Sequence, residues 1–320
     1  MIKDIKKLDI KEWEEYWKKC SEATFFHSPE WFQIWAKYLN GKLYYSAKLI
    51  IFSDGKTALL PYAYTRKLGA HFFLLSPRNN YGGWISSYEL SKSDHISLES
   101  YILKNMKNLQ WIIQPNLQTY LNKNILNNTT SILYYKSNFN QTFQNFKKGP
   151  KYSYKKAIRE GCKLVIAEDL QEWKTFYEIY LKTVERWSKV NFLLSWEELK
   201  LFYQLKSDHI NLYLVSWNDK IISGGLFLYG NQSVHYWQGA SLHEHHDKRA
   251  MHYMIIEVIK ESQSKGFKMM DMGPSHQLKG VLDFKKGFNT DETTVGIIQQ
   301  KSLKGTIIKK GAEWKKRIHR

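Results

Sequence analysis

Between Asp169 and Asp271 the residues spell two amphipathic helices, three short strands, a long helix and a further strand, and that order leaves few folds open. Asp169 can cap a helix whose apolar positions Leu170, Trp173, Tyr177, Tyr180, Val184 and Trp187 recur at the 3.6-residue period. Ser195 and Glu198 form a capping-box pattern that opens a second helix with Trp196, Leu199 and Tyr203 on one face. Strand-like runs follow at Ile210 to Trp217, Ile221 to Tyr229 and Ser233 to Ala240, separated by turn pairs at Asn218-Asp219 and Gly230-Asn231. A helix from about Lys248 to Ser264, stopped by Gly266, leads to a strand at Phe267 to Asp271 and a last one near Thr294 to Gln299.

The first half echoes this order. Helices are expected near Ile10 to Cys20, Pro29 to Leu39 and Ile96 to Met106, with a hairpin through Asp54-Gly55 and a strand at Gln110 to Gln114. With 320 residues the chain has length for two domains. The expected joint is Phe146-Lys147-Lys148-Gly149-Pro150, where Gly-Pro breaks a helix and the charge density jumps. That gives one domain over 1–149, onto which a tail at 300–320 packs, and another over 150–299. The fold class is mixed, α/β or α+β, with a mostly antiparallel sheet flanked by helices in each half. An Asn-rich stretch, Asn122 to Asn128, reads as a surface turn.

Forty-eight basic residues against thirty acidic leave a net charge of +18, unevenly spread. The segment Lys147 to Lys163 carries seven basic residues against Glu160, and Lys301 to Arg320 carries eight against Glu313. Such segments suit a polyanion: RNA, a nucleotide-linked substrate or an anionic membrane face. They equally suit a soluble lysine-rich surface. Cys20 and Cys162 stand far apart, which argues against a disulfide framework or a cysteine-held zinc. The charged N-terminus reads as neither signal peptide nor transmembrane segment, and the expected location is the cytoplasm. Among His243, Glu244, His245, His246 and His252 the spacing matches no metal motif, so no metal is expected. The chain carries no phosphate-binding P-loop, dinucleotide fingerprint or Gly-x-Ser-x-Gly elbow, which excludes the usual kinases, dehydrogenases and serine hydrolases.

Three motifs occur in order: Phe26-His27-Ser28-Pro29-Glu30-Trp31; Ser76-Pro77 leading to Tyr81-Gly82-Gly83; and Asp271-Met272-Gly273-Pro274-Ser275 leading to Gly280 and Phe284-Lys285. Together they resemble the Fem-type branch of the GNAT superfamily. That branch includes the aminoacyl-tRNA-dependent enzymes that build peptidoglycan cross-bridges, and relatives tied to exopolysaccharide synthesis. The resemblance implies two tandem GNAT-like domains and an N-acyltransferase that moves an aminoacyl group from aminoacyl-tRNA to an amine of an envelope precursor or small molecule. No cofactor is implied beyond the donor, aminoacyl-tRNA or acyl-CoA.

Acyl transfer to an amine develops an oxyanion, and a positioned ammonium stabilises it, which makes Lys285 the catalytic candidate. The matching lysine of Fem-type enzymes lies at the substrate phosphate or the reacting centre, and Lys285 and Lys286 as a solvated pair is the plain alternative. Arg186, in Thr183-Val184-Glu185-Arg186, is similar to a Thr-x-x-Arg signature of the family and could clamp a phosphate or carboxylate, or simply pair with Glu185 or Asp169. Tyr236, Trp237 and Ser241 lie on an aromatic strand and the small-residue loop after it, and with Tyr81 and Ser275 they complete the substrate-binding candidates. Tyr236 and Trp237 should face opposite sides of the sheet. Tyr152, Lys155, Lys156 and Arg159, at helical spacing, and Arg249 are the polyanion candidates, for a nucleic acid or a pyrophosphate; an exposed basic helix with its aromatic tucked inward is the alternative.

The chain also departs from its relatives. Acyl-CoA-dependent GNAT enzymes carry a glycine-containing loop that receives the pyrophosphate on backbone N–H groups, whereas His245-His246-Asp247-Lys248-Arg249-Ala250-Met251-His252 has no glycine. Muropeptide-using Fem relatives carry a lysine shortly after the first-domain Trp, where Trp35 stands here, and an acid after the Pro-rich loop, where none follows Ser76-Pro77-Arg78 before Ser86. Two other readings keep the fold: an acyl-CoA-dependent enzyme acting on an amino sugar or polysaccharide precursor, and a catalytically degenerate RNA-binding or scaffold protein.

Overall fold

The computed structural model describes residues 1–115, 117–120, 126–186, 193–275, 278–302 and 306, and divides into two compact units. The first comprises 1–128 and 294–320, the second 129–293.

In the first unit, β1 (Ile2–Leu8), α1 (Ile10–Lys19) and α2 (Pro29–Tyr38) precede a meander of β2 (Leu43–Phe52), β3 (Thr57–Lys67) and β4 (Ala70–Leu74). A short β5 (Tyr81–Gly82), α3 (Lys92–Asn105) and β6 (Leu109–Ile113) follow. Asp9 and Ser91 build capping boxes for α1 and α3, and Ser28 caps α2 just before Pro29. The sheet runs β1-β2-β3-β4-β6, with β6 parallel to β4, and is completed by the later part of β13 (Asp291–Gln299) antiparallel to β6. Leu98 and Ile102 of α3, with Met106 just after it, bury against Ile50, Leu60 and Trp111 on one face.

The second unit begins in β7 (Leu126–Tyr134), then α4 (Phe139–Asn145), α5 (Lys148–Arg159) and β8 (Lys163–Ile166). Helices α6 (Leu170–Glu185) and α7 (Trp196–Leu205) start at the boxes built by Asp169 and Ser195. The meander is β9 (Ile210–Trp217), β10 (Lys220–Tyr229) and β11 (Ser233–Ser241), its first turn using left-handed Asn218 and Asp219. Then come α8 (Ala250–Ser264), β12 (Met269–Asp271) and α9 (Lys279–Gly287). The sheet order is β8-β9-β10-β11-β12-β7, with β12 parallel to β11. Helix α6 packs on β10 and β11, and α8 packs on β9, β10 and β11. Each unit thus repeats one plan: an antiparallel meander, a helix, a parallel strand, and an antiparallel strand that closes the sheet.

The joint expected at 149/150 falls inside the second unit. Gly149 and Pro150 sit in the first turn of α5, where a missing N–H costs no helical hydrogen bond. Pro150 packs so tightly on Gly287 that a Cβ there would lie 2.8 Å from its Cγ. The division instead falls within β7, between Asn128 and Thr129, and the later part of β7 pairs with β12. At the start of the C-terminal tail, Gln300 N–H donates to Leu109 O, and Ser302 N–H to Asn108 Oδ1. Trp187, most of the basic tail and most of the Asn-rich stretch lie outside the described residues.

Candidate active site

In the second unit the parallel ladder between β11 and β12 is short. It holds Ser233 to Met269, Val234 to Met270 and His235 to Asp271, after which β11 continues to Ser241 without β12. Where the strands part, the chain from Asp271 to Ser275 turns beside β11, and a Cβ added at Gly273, which has φ +72, would lie 4.0 Å from Tyr236 O. The left-handed backbone suits glycine.

This turn is held from three sides. Asp271, 5% exposed, accepts Thr130 Oγ1 at 2.6 Å and Gly273 N at 2.7 Å on one carboxylate oxygen, and His235 Nδ1 stands 3.5 Å from the other. Burial alone would raise its pKa, but His235, the Thr130 hydroxyl and the Gly273 N–H outweigh it and hold the carboxyl below its ordinary value. Ser131 donates to Gly273 O and accepts from Met272 N–H. From the third side Lys285, 3% exposed, donates from Nζ to Gly273 O at 2.8 Å and Pro274 O at 2.9 Å. Burial pushes its pKa down to about 8, against the pull of Asp271.

Helix α9 explains why this lysine is inside and its neighbour is not. Phe284 and Phe288 stack against His252 of α8, with ring centroids 4.7 and 5.7 Å away, and Phe288 also meets Phe146. With that face inward, Lys285 points at the turn, while Lys286 reaches Glu292 at 3.2 Å on the outside. The solvated-pair alternative therefore does not hold for Lys285. Ser275 Oγ is buried and meets no hydrogen-bond partner among the described residues.

On β11, Tyr236 and Trp237 do face opposite sides: Tyr236 packs on Phe227, and Trp237 on Phe202 of α7. A bulge between Tyr236 and Gln238 lets the pairing with β10 skip Trp237. Burial holds the Tyr236 phenol well above its usual range. Its hydroxyl lies directly over Gly239, where an added Cβ would come within 1.5 Å. Gly239→Ala should therefore expel the Tyr236 ring, lower stability by about 1–3 kcal/mol, and shift Tyr236 ring signals in an NMR spectrum.

At the end of β11, Arg186 Nη2 donates to Ser241 O at 3.0 Å, and its Nη1 lies 3.5 Å from His246 Nε2. Thr183 Oγ1 donates to Ser241 O and accepts from Ser241 N, and Ser241 Oγ lies 3.0 Å from His246 Nε2. Burial, with the charges of Arg186, His243 and Arg249, holds His246 below the ordinary histidine value. Arg186→Ala should let that pKa rise, read by NMR titration of the imidazole, with the thermal midpoint almost unchanged because the guanidinium is at the surface.

The polyanion candidates spread over two elements. In α5, Tyr152 is 59% exposed with Lys155 and Arg159, so it is not the tucked aromatic; Tyr154 takes that place, stacking on Tyr253 of α8. Lys156 lies near enough to Asp247 and Glu160 to depress both carboxyls, after the larger effect of Lys248 bonding to each. Arg249 takes a left-handed conformation at the start of α8. Tyr81 belongs to the first unit, buried against Phe26. Sequence reasoning did not single out Thr130 or His235, which nothing local marked, and considered His246 only with the other histidines of its loop as a metal ligand.

Residues 144–286, which lie within the second unit, match the acetyltransferase (GNAT) domain family. The chain as a whole has a Fem-like GNAT fold. It is similar to the crystal structure of FemX, with a TM-score of 0.69 over 92% of this chain and 97% of that one at 13% identity. It is also similar to L-PGS from Bacillus licheniformis, at 0.51 over 88% and 95% with 13% identity. A third likeness is the C-terminal domain of a putative lysylphosphatidylglycerol synthetase from Agrobacterium fabrum, at 0.52 over 83% and 88% with 10% identity. No curated protein matches in sequence.

Proposed function

We propose that the protein transfers an aminoacyl group from aminoacyl-tRNA to an amine of an envelope precursor or small-molecule acceptor, at the point where β11 and β12 part. The observation that carries this reading is the buried Lys285 ammonium, fixed by two carbonyls of the turn beside that opening. The acceptor nitrogen attacks the ester carbonyl, its electron pair forming the C–N bond while the carbonyl oxygen becomes an oxyanion. Two N–H groups of Lys285 are committed to carbonyls, and the third meets that oxyanion. Collapse breaks the ester C–O bond, and the ribose oxygen leaves with the proton that the attacking amine gives up. Tyr236 and Trp237 on β11 border the acceptor, and Arg186 with Ser241 holds its polar end.

Two features favour a tRNA donor over acyl-CoA. The segment before α8 has no glycine and carries Glu244 and Asp247, carboxylates that repel a pyrophosphate at a helix N-terminus. Tyr152, Lys155 and Arg159 present an exposed basic, aromatic face on α5 that suits an RNA backbone. A thermal-shift titration with CoA and acyl-CoAs, beside binding of charged and uncharged tRNA, tests the choice. The proposal expects no shift with CoA compounds and tighter binding of charged tRNA. A dose-dependent rise with an acyl-CoA would transfer the site to that donor, and equal binding of both tRNAs without turnover would favour a degenerate RNA-binding protein.

A further inference from the structure

On the first unit, the register of three strands gathers side chains that are scattered in sequence. Tyr44 pairs with Tyr64 and Tyr64 with Phe73, a row across β2, β3 and β4, and Arg66 pairs with His71 in the next row on the same face. The rings are in contact: Tyr44 and Tyr64 stack at 5.2 Å and 17°, and Tyr64 lies 5.0 Å from His71 and 5.6 Å from Phe73. The Arg66 guanidinium caps the row, its Cζ 4.7 Å from the Tyr44 centroid and 5.6 Å from that of Tyr64. Further along, Lys48 lies over Tyr62 and Tyr101 and donates to Tyr101 Oη. Helix α3 buries the Ile50 and Leu60 end of this face, but at the other end Tyr44 is 43% exposed, and Arg66 and His71 are exposed.

The three strands that form this surface carry charge of one sign. No Asp or Glu occurs from Trp31 to Ser53 or from Gly55 to Tyr88, a stretch that supplies Lys42, Lys48 and Arg66 around the rings. Flat rings alone suit a sugar face as well as a base. Rings interleaved with cations and no carboxylate suit a ligand with flat faces and a repeating negative charge.

We propose that this face of β2, β3 and β4 binds unpaired nucleotides of an RNA, bases stacking on Tyr44, Tyr64 and the Arg66 plane, with Lys42 and Lys48 along the phosphates. The proposal rests on the transfer reading only for the choice of RNA as the polyanion. The test is fluorescence anisotropy of a labelled eight-nucleotide oligoadenylate RNA titrated with the full chain. Wild-type binding should weaken as salt rises. Tyr44→Ala and Arg66→Glu should each weaken it about tenfold or more, as loss of one stacking partner does. Tyr44→Phe, which keeps the ring, and Lys11→Glu, the same charge reversal on the exposed part of α1, should stay within about twofold. Failure of the wild type to bind, unchanged binding by both weakening variants, or equal loss with Lys11→Glu would each overturn the proposal. So would binding to phosphatidylglycerol vesicles but not to the oligonucleotide. Because the oligonucleotide carries no aminoacyl ester, its binding and the transfer reaction stand or fall separately.

Discussion

Lys285→Met is expected to slow transfer by about a hundredfold or more while leaving the protein folded. The substitution keeps the volume between Phe284 and Phe288 and removes the only group that gives N–H bonds to both Gly273 O and Pro274 O in the described structure. A buried ammonium costs desolvation, so its loss offsets part of what the two carbonyls give up. The pH dependence separates the roles open to this residue. With its pKa pushed down to about 8, Lys285 is mostly charged at neutral pH and loses its proton as pH rises through 8. If the ammonium stabilises an oxyanion, the rate should fall above about pH 8; a general base would make it rise there. Stability should move the opposite way. From about pH 8 to the ordinary lysine value of 10.5 the unfolded chain binds more protons than the folded one, so the fold gains stability with rising pH. That gain should vanish in Lys285→Met, measured by urea unfolding at a series of pH values.

Asp271→Ala is expected to cost the fold about 3–5 kcal/mol, as breaking a buried charged network does, or roughly 10 °C in the thermal midpoint. The alanine leaves Thr130 Oγ1 and the Gly273 N–H without their acceptor and removes the negative charge that faces His235 and helps keep Lys285 protonated. Because the Asp271 pKa is lowered in the fold, its contribution is fully present above the unfolded carboxylate value and is lost as pH falls through the lower folded one. Acid unfolding should therefore lose part of its pH dependence in the variant. With Asp271 gone, the Lys285 pKa should drop below 8, so the alkaline fall in any remaining activity should begin at lower pH.

What was legible in the sequence was local. The boxes at Asp169 and Ser195, the Asn218-Asp219 turn and the lengths of β9, β10 and β11 follow from residues within a few positions of each other, and the structure keeps them. The Fem-like fold was legible because its motifs stand in order. The domain division was not, since it depends on β7 pairing with β12, strands 135 or more residues apart whose register no local signal carries. Gly149-Pro150 reads as a break by composition, yet it is a helix start packed on Gly287. Lys285 was visible as part of a motif, but its burial comes from Phe284, Phe288 and His252 meeting in space. The same limit hid the rings on β2, β3 and β4, which become one row only when Tyr44, Tyr64 and Phe73 come into register.

The most direct test is a single-turnover experiment with radiolabelled aminoacyl-tRNA, run with wild type and Lys285→Met. The acceptors would be a UDP-linked muramoyl pentapeptide and an amino sugar, and acetyl-CoA would serve as the rival donor. The expected result is label leaving tRNA for an alkali-stable amide product with the wild type, with the rate falling above about pH 8, and almost none with Lys285→Met. Transfer from acetyl-CoA in place of aminoacyl-tRNA, or an unchanged rate in Lys285→Met, would contradict it.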